Sequence, residues 1–149
     1  MERAYERALR LLSVRPRGRA ELLRGLEERG FAKEPASKAA DRLEKEGWLD
    51  DLAAARSVVR VRAARYGRAR LEQDLKARGF GRETIAAAME AELPEREGPA
   101  LARAYERSWL KHRQLPLPER KRKVRLALSR RGFAPGAISA IMRSPHEID

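Results

Sequence analysis

The stretch RARLEQDLKARGF, residues 68–80, combines two patterns that decide the fold of this chain. Leu71 and Leu75 lie four residues apart, which places apolar side chains on one face of an α-helix. The closing tripeptide Arg-Gly-Phe, residues 78–80, recurs at residues 29–31 and 131–133. Glycine easily takes the left-handed conformation that follows many helix ends. We therefore predict that each Arg-Gly-Phe ends a helix and that its Phe folds back onto the apolar face.

Aligning the three tripeptides defines three repeats along the chain. An offset of 49 residues pairs Gly18 with Gly67, Leu22 with Leu71 and Leu26 with Leu75. An offset of 53 residues pairs Val124, Leu128, Ile138 and Met142 with Leu71, Leu75, Ile85 and Met89. The consistent positions of the apolar residues indicate that the repeats share one structure.

Apolar spacing and turn residues predict nine helices, three in each repeat. The fourth helix carries an apolar stripe formed by Leu52, Ala55, Val59, Ala63 and Tyr66. Asp50 and Asp51 can cap its start, because a carboxylate accepts hydrogen bonds from free helical N–H groups. Pro135 suits the first turn of the ninth helix, and the remaining prolines lie near predicted boundaries: Pro16, Pro35, Pro94, Pro99, Pro116 and Pro118. The predicted helices span about residues 2–14, 17–29, 34–46, 51–65, 67–78, 82–92, 97–112, 118–131 and 135–143.

Composition also favours an all-α fold. Of the 149 residues, 42% are hydrophobic but only 5% are aromatic, and the abundance of Ala and Leu favours helices over sheets. We expect tandem three-helix repeats at residues 1–50, 51–94 and 95–149. One triplet is too small to bury its apolar face alone, so we expect the repeats to stack in an elongated, curved array.

Several classes of site and location are disfavoured by the sequence. The absence of Cys excludes disulfides and thiolate metal sites, and no run of 18 apolar residues or secretory signal is present, so we expect a cytoplasmic protein. The two histidines, His112 and His146, lie far apart, and no GxxxxGK phosphate loop occurs. We therefore expect no enzyme, cofactor or metal. Trp48 and Trp109 could stack on bases, but tryptophan at helical spacing is more often part of a core.

The net charge of +12 is unevenly distributed. Residues 1–51 hold 12 Lys/Arg against 11 Asp/Glu, residues 52–93 hold 9 against 5, and residues 94–149 hold 13 against 6. Such an excess attracts nucleic acid and acidic protein surfaces. The charge is therefore expected to serve binding mainly in the second and third repeats.

Two stretches, from Leu52 to Leu71 and from Arg120 to Arg131, contain many basic residues and no acidic one. They are either solvated faces or surfaces that bind phosphates or acidic side chains, and the one-sided charge favours binding. The candidate binding residues are Arg56, Arg60, Arg62, Arg65, Arg68, Arg70, Lys76, Lys111, Arg113, Arg120, Lys121, Arg122, Lys123, Arg125, Arg130 and Arg131.

A family resemblance rests on the centre of the sequence. The run at residues 47–51, Gly-Trp-Leu-Asp-Asp, is followed by Arg56, by Val58-Val59-Arg60, by residues 67–71 and by residues 73–79. Together these resemble the central signature of the RecX family, regulators of the RecA recombinase. Ala54 departs from the pattern, because similar proteins usually carry a bulky residue there. The signature residues with a structural role are Trp48, Leu49, Asp50, Asp51, Gly67, Leu71, Leu75, Gly79 and Phe80.

The resemblance implies a non-catalytic, monomeric regulator of homologous recombination, DNA repair and the SOS response. Such a protein binds along the groove of a RecA–DNA filament and inhibits filament extension, ATP hydrolysis and strand exchange, with or without direct contact to single- or double-stranded DNA. From the residues alone, a helix-turn-helix DNA-binding protein and a basic RNA-associated scaffold stay open as alternatives. The predicted eighth helix carries Lys and Arg but no Asn or Gln, which indicates phosphate contacts without base recognition.

Overall fold

The computed structural model describes residues 3–143, in which all regular secondary structure is helical. The described helices are α1 (Ala4–Val14), α2 (Arg19–Glu28), α3 (Lys33–Lys45), α4 (Asp51–Arg62), α5 (Arg68–Ala77), α6 (Arg82–Glu92), α7 (Pro94–Lys111), α8 (Leu117–Arg130) and α9 (Pro135–Arg143). The all-α prediction is confirmed, and most helix ends lie within two residues of their predicted positions. The predicted start of the first helix at residue 2 and His146 lie outside the described residues.

The boundary predicted near Pro99 was wrong. Helix α7 begins at Pro94, so Pro99 lies inside it. Pro94 occupies the first turn, where a backbone N–H has no helical partner and the fixed φ of proline suits the helix. Pro99 removes one hydrogen bond to the carbonyl four residues earlier, that of Glu95. The favourable start at Pro94 therefore outweighs the break expected at Pro99.

The three Arg-Gly-Phe tripeptides follow helices α2, α5 and α8 in the same conformation. Gly30, Gly79 and Gly132 have φ angles of +93°, +91° and +90°. In the second tripeptide the Gly79 N–H donates to the Lys76 carbonyl at 2.9 Å, and the Phe80 N–H donates to the Leu75 carbonyl at 3.2 Å. The other two tripeptides form the equivalent pair of bonds, which defines a Schellman motif. The prediction of left-handed glycines at helix ends is confirmed.

The chain forms two compact units. The first comprises residues up to Val58 together with Asp74–Ala88, and the second comprises Val59–Gln73 together with the residues from Met89 onward. In the first unit, α1, α2 and α3 pack around a cluster that includes Leu22, Leu26 and Leu43. In the second unit, α7, α8 and α9 pack around a cluster that includes Trp109, Val124, Leu128 and Phe133.

Each unit contains one Arg-Gly-Phe turn that packs on the start of the second helix of the preceding repeat. In the first unit, a Cβ added to Gly79 would lie 2.5 Å from the Cβ of Ala20. A Cβ added to Gly18 would lie 2.5 Å from the ring of Phe80. No such contact is possible for real Cβ atoms, so glycine at both positions permits this close approach.

Two apolar residues near the start of α4 were wrongly predicted to be buried. Trp48 is 66% exposed and Leu52 is 41% exposed. Gly47 has a φ of +83°, and the chain after it places Leu49 in the core instead of Trp48. The buried face of α4 includes Ala54 and Ala55 in place of Leu52. The predictions for Val59 and Ala63, and for Trp109 in α7, are confirmed because all three are buried.

Candidate polyanion-binding site

The site is built on a backbone contact between Gly67 and Gly132 in the second unit. The Gly67 N–H donates to the Arg131 carbonyl at 2.8 Å, and the Ala69 N–H donates to the Gly132 carbonyl at 3.2 Å. A Cβ added to Gly67 would lie 2.6 Å from the Gly132 carbonyl oxygen, and one added to Gly132 would lie 2.4 Å from the Arg70 nitrogen. The start of α5 and the turn after α8 therefore meet backbone to backbone, which only glycine at these positions allows.

This contact brings the two acid-free stretches of the sequence together. The side chain of Arg131 donates from Nη1 to the Arg65 carbonyl at 3.1 Å. The side chain of Arg70 donates from Nη1 to the Arg130 carbonyl at 3.4 Å. We call the surface formed by Arg62, Arg65, Arg68, Arg70, Arg130 and Arg131 the arginine junction. All six were candidate binding residues in the sequence.

Tyr66 organises the arginine junction. The guanidinium carbons of Arg62, Arg70 and Arg131 lie 4.8, 4.7 and 5.9 Å from the centre of its ring. The negative face of an aromatic ring attracts a cation, and each such contact contributes about 0.5–1 kcal/mol at an exposed site. Tyr66 thus offsets part of the repulsion among the arginines and restricts where their guanidinium groups lie.

Tyr66 was predicted from the sequence as part of the apolar stripe of the fourth helix and not as a binding residue. A local signal was present, because Arg62 and Arg70 each lie only four residues from Tyr66, although Tyr66 lies between α4 and α5 and is not part of a helix. The contact from Arg131, by contrast, has no local signal.

The arginine junction carries a net positive charge. Arg65, Arg68, Arg70 and Arg130 are exposed, and Arg131 is half-buried. Within residues 3–143 none of these five forms an ion pair with an acidic side chain. Guanidinium groups bind phosphate and carboxylate oxygens through paired N–H donors. The geometry therefore suits a polyanion that presents several such groups.

Arg120 differs from the other candidates on α8. Its Nε and Nη2 atoms donate to the Trp109 carbonyl at 3.0 and 2.8 Å, and its guanidinium carbon lies 3.7 Å from the centre of the Trp109 ring. These contacts join α8 to α7, which gives Arg120 a role in packing. Lys121 and Lys123 are exposed on the same helix and available to a partner.

The remaining candidates lie outside the arginine junction. Nη2 of Arg122 lies 3.7 Å from Oε1 of Glu119, and Nη1 of Arg125 donates to the Ser139 hydroxyl at 3.5 Å. Arg113 donates to the Leu110 carbonyl at 3.1 Å, and Arg60 lies 3.6 Å from Glu92. The side chains of Arg56, Lys76 and Lys111 are exposed.

Sequence comparisons identify the family. The sequence model for the first three-helix domain of RecX matches residues 4–43, and the model for the second three-helix domain matches residues 50–89. This chain belongs to the RecX family. The regulatory protein RecX of Ralstonia pickettii is 35% identical over 142 residues, which cover 95% of this chain and 87% of that relative.

A second relative and a solved structure agree with this assignment to the RecX family. The regulatory protein RecX of Xanthomonas axonopodis pv. citri is 37% identical over 142 residues, covering 93% of this chain and 85% of the relative. A crystal structure of regulatory protein RecX matches with a TM-score of 0.85 at 25% identity, covering 95% of this chain and 72% of that chain. The expected family and the three-helix architecture are confirmed.

The paired aspartates of the RecX signature cap two different helices. Asp50 accepts at Oδ1 from the Ala53 N–H at 3.1 Å, which caps α4 as predicted. Asp51 accepts at Oδ1 from the Arg19 N–H at 2.7 Å, so it caps the start of α2 instead. The second aspartate therefore connects two repeats, a tertiary role that adjacent residues in a sequence do not reveal.

Apart from the exposed Trp48, the other RecX signature residues support packing. Leu49, Leu71, Leu75 and Phe80 are buried, and Gly67 and Gly79 permit the close contacts described above. Among residues 3–143 no group of three His, Asp or Glu side chains is arranged to hold a metal ion. The described helices include none with the length and hydropathy needed to cross a membrane.

Proposed function

We propose that this chain binds the nucleoprotein filament of a RecA-type recombinase and limits the extension, ATP hydrolysis and strand exchange of that filament. Membership of the RecX family is the observation that carries this proposal. The relatives in the family are named regulatory proteins, and RecX-type regulation acts on RecA. Regulation by binding alone requires a recognition surface, for which the arginine junction is the strongest candidate.

The arginine junction favours a filament over a flexible polymer. The guanidinium groups of Arg70 and Arg131 are positioned by Tyr66 and by hydrogen bonds to backbone carbonyls. A preformed surface loses less conformational freedom on binding a rigid partner, whereas a flexible single strand must itself become ordered. A filament presents phosphates and acidic side chains at fixed positions. Under this proposal the protein acts in the cytoplasm as a monomer. It binds the filament through its three repeats, residues 1–50, 51–94 and 95–149.

The proposal is tested by comparing two affinities. We expect binding to RecA filaments on single-stranded DNA to be at least about tenfold tighter than binding to the bare DNA near 0.15 M salt, a difference of about 1.4 kcal/mol. Fluorescence anisotropy across a salt series measures both affinities, and a steady-state ATPase assay measures inhibition. We expect the filament's ATPase rate to fall as the protein is added.

Paired variants connect the affinity to the arginine junction. Arg65→Glu with Arg68→Glu should weaken filament binding without loss of helicity, because both side chains are exposed. The control Arg107→Glu with Arg143→Glu makes the same change of charge at exposed positions outside the arginine junction. Equal effects of the two pairs would assign the affinity to net charge alone.

The second candidate function is a basic nucleic-acid-binding protein that acts without RecA. The net charge of +12 favours it. Binding of that kind is mainly electrostatic and falls steeply with salt. Equal affinities for bare DNA and filament, with parallel salt slopes and an unchanged ATPase rate, would support this function and refute regulation of RecA.

A further inference from the structure

A buried carboxylate in the second unit holds two arginines from different helices. Glu92, at the end of α6, is 5% exposed. Its Oε1 atom lies 3.2 Å from Nη1 of Arg96 and 3.6 Å from Nε of Arg60. Arg96 also donates from Nη1 to the Glu92 backbone carbonyl at 2.8 Å. One buried acid thus positions a guanidinium group of α4 and one of α7.

The two arginines line a cavity of about 200 Å³. The complete lining consists of Arg60, Ala64, Glu95, Arg96, Pro99 and Arg103. The side chains of Arg60 and Arg96 are 50% and 39% exposed, so solvent reaches them. Three guanidinium groups therefore surround one small opening.

The chemistry of the lining suits an anion. A guanidinium group has five N–H donors, and the contacts to Glu92 occupy only some of those of Arg60 and Arg96. A buried carboxylate is strongly destabilising unless it is paired, so Glu92 keeps both arginines in place. The positive charges of Arg60, Arg96 and Arg103 outnumber the negative charges of Glu92 and Glu95, so the cavity carries a net positive charge. Donors are thus both available and fixed before a ligand arrives.

We propose that this cavity binds one phosphodiester group of a nucleic-acid backbone. Its volume of about 200 Å³ is below the roughly 300–1,000 Å³ of pockets for larger ligands and suits a single phosphate. A tetrahedral phosphate presents oxygens in several directions and can accept from arginines of both α4 and α7, whereas the oxygens of a carboxylate lie in one plane. The lining also lacks the large apolar anchor that protein interfaces bury at their centre, since only Ala64 and Pro99 are apolar.

The phosphate site goes beyond regulation of a recombinase, because it predicts a contact with nucleic acid alone. Its test therefore uses the full chain and a short fluorescent oligothymidylate without RecA. Arg103→Gln should weaken binding and reduce the slope of log affinity against log salt by about 0.7, the value for one phosphate contact to a single strand. The control Arg143→Gln removes the same charge from an exposed position outside the cavity lining. Its slope should equal that of the parent.

A second variant predicts an effect of opposite sign. Glu95→Gln removes a negative charge from the lining, so it should tighten oligonucleotide binding. A loss of packing could not produce that gain. Inorganic phosphate should compete with the oligonucleotide less effectively in Arg103→Gln than in the parent, and a polyglutamate peptide should compete equally with both. Helicity measured by circular dichroism checks that each variant is folded.

Three outcomes would overturn the phosphate site. They are equal salt slopes for Arg103→Gln and Arg143→Gln, no gain in affinity from Glu95→Gln, and competition by polyglutamate that weakens in Arg103→Gln as much as competition by phosphate does. None of these depends on a recombinase, so the phosphate site can fail while filament binding and ATPase inhibition persist. Conversely, an unaffected RecA ATPase leaves the oligonucleotide results unchanged.

Discussion

Replacing the glycine of each Arg-Gly-Phe turn by alanine should reveal which turns form a close contact. Gly30 and Gly132 have nearly the same φ, +93° and +90°, so alanine meets the same backbone strain at both, about 1–2 kcal/mol. A Cβ at residue 30 has no atom within 4 Å, whereas one at residue 132 lies 2.4 Å from the Arg70 nitrogen and 2.5 Å from the Arg70 Cβ. The backbone nitrogen cannot move aside as a flexible side chain could. We expect this overlap to add about 1–3 kcal/mol of destabilisation to Gly132→Ala.

Alanine substitutions at two further glycines separate the cost of atomic overlap from the cost of backbone strain. Gly67→Ala introduces overlap without a positive φ, because its Cβ would lie 2.6 Å from the Gly132 carbonyl, so we expect a loss of about 1–3 kcal/mol. Gly98→Ala in α7 introduces neither, and should stabilise the helix by about 0.5–1 kcal/mol.

Urea unfolding followed by far-UV circular dichroism measures the four stabilities. In a Trp48→Phe background, the fluorescence of the buried Trp109 follows the second unit, because two compact units need not unfold in one step. Equal losses for Gly30→Ala and Gly132→Ala, together with a neutral Gly67→Ala, would refute the close contact.

Three other variants test separate parts of the fold. Phe80→Ala should cost about 3–5 kcal/mol in a urea titration, because the ring is only 6% exposed and packs beside Gly18; a loss below 1 kcal/mol would contradict that packing. Asp51→Ala should cost about 0.5–2 kcal/mol through loss of the cap on α2, whereas Asp51→Asn, which retains an acceptor oxygen, should cost less in the same titration. The Tyr5 hydroxyl donates to Glu46, and this bond lowers the pKa of Glu46 and raises the pKa of Tyr5. Because the pKa of Glu46 is lowered in the folded protein, the bond stabilises the fold at pH values above the unfolded-state pKa of Glu46. This stabilisation is lost as the pH falls through the folded-state pKa of Glu46. Because the pKa of Tyr5 is raised in the folded protein, the same bond stabilises the fold at pH values below the unfolded-state pKa of Tyr5. This stabilisation is lost as the pH rises through the folded-state pKa of Tyr5. Tyr5→Phe should therefore flatten both limbs of the curve of urea midpoint against pH, and an unchanged curve would show that the bond is not made in solution.

The helices and their ends could be predicted because their signals are local. The spacing of Leu71 and Leu75 and the glycine after α5 lie within one short stretch. Helix-capping bonds connect residues three to five positions apart, so neighbouring residues determine them. Where a local signal was ambiguous the prediction failed. The burial of Trp48 is an example, since Leu49 beside it took the core position.

The candidate site could be predicted as a set of residues but not as a surface. The six members of the arginine junction were recognised from charge alone. Their convergence depends on contacts such as that between Arg131 and the Arg65 carbonyl, which are 66 residues apart. No periodicity connects such distant segments. Charge likewise could not separate Arg120, which packs on Trp109, from the exposed Lys121 beside it.

The glycine contacts also explain why the docking of Arg-Gly-Phe turns is directional. The turn at Gly79 packs on the start of α2, which follows Gly18, and the turn at Gly132 packs on the start of α5, which follows Gly67. In both cases the contact is with the preceding repeat. The repeat alignment places Arg120 at the corresponding position of the third repeat. Its side chain is large and is held on Trp109, so α8 cannot accept another turn by the same close backbone approach. The close backbone contact made beside Gly18 and Gly67 therefore has no equivalent at the start of α8. The exposed lysines of α8 are left available to a partner.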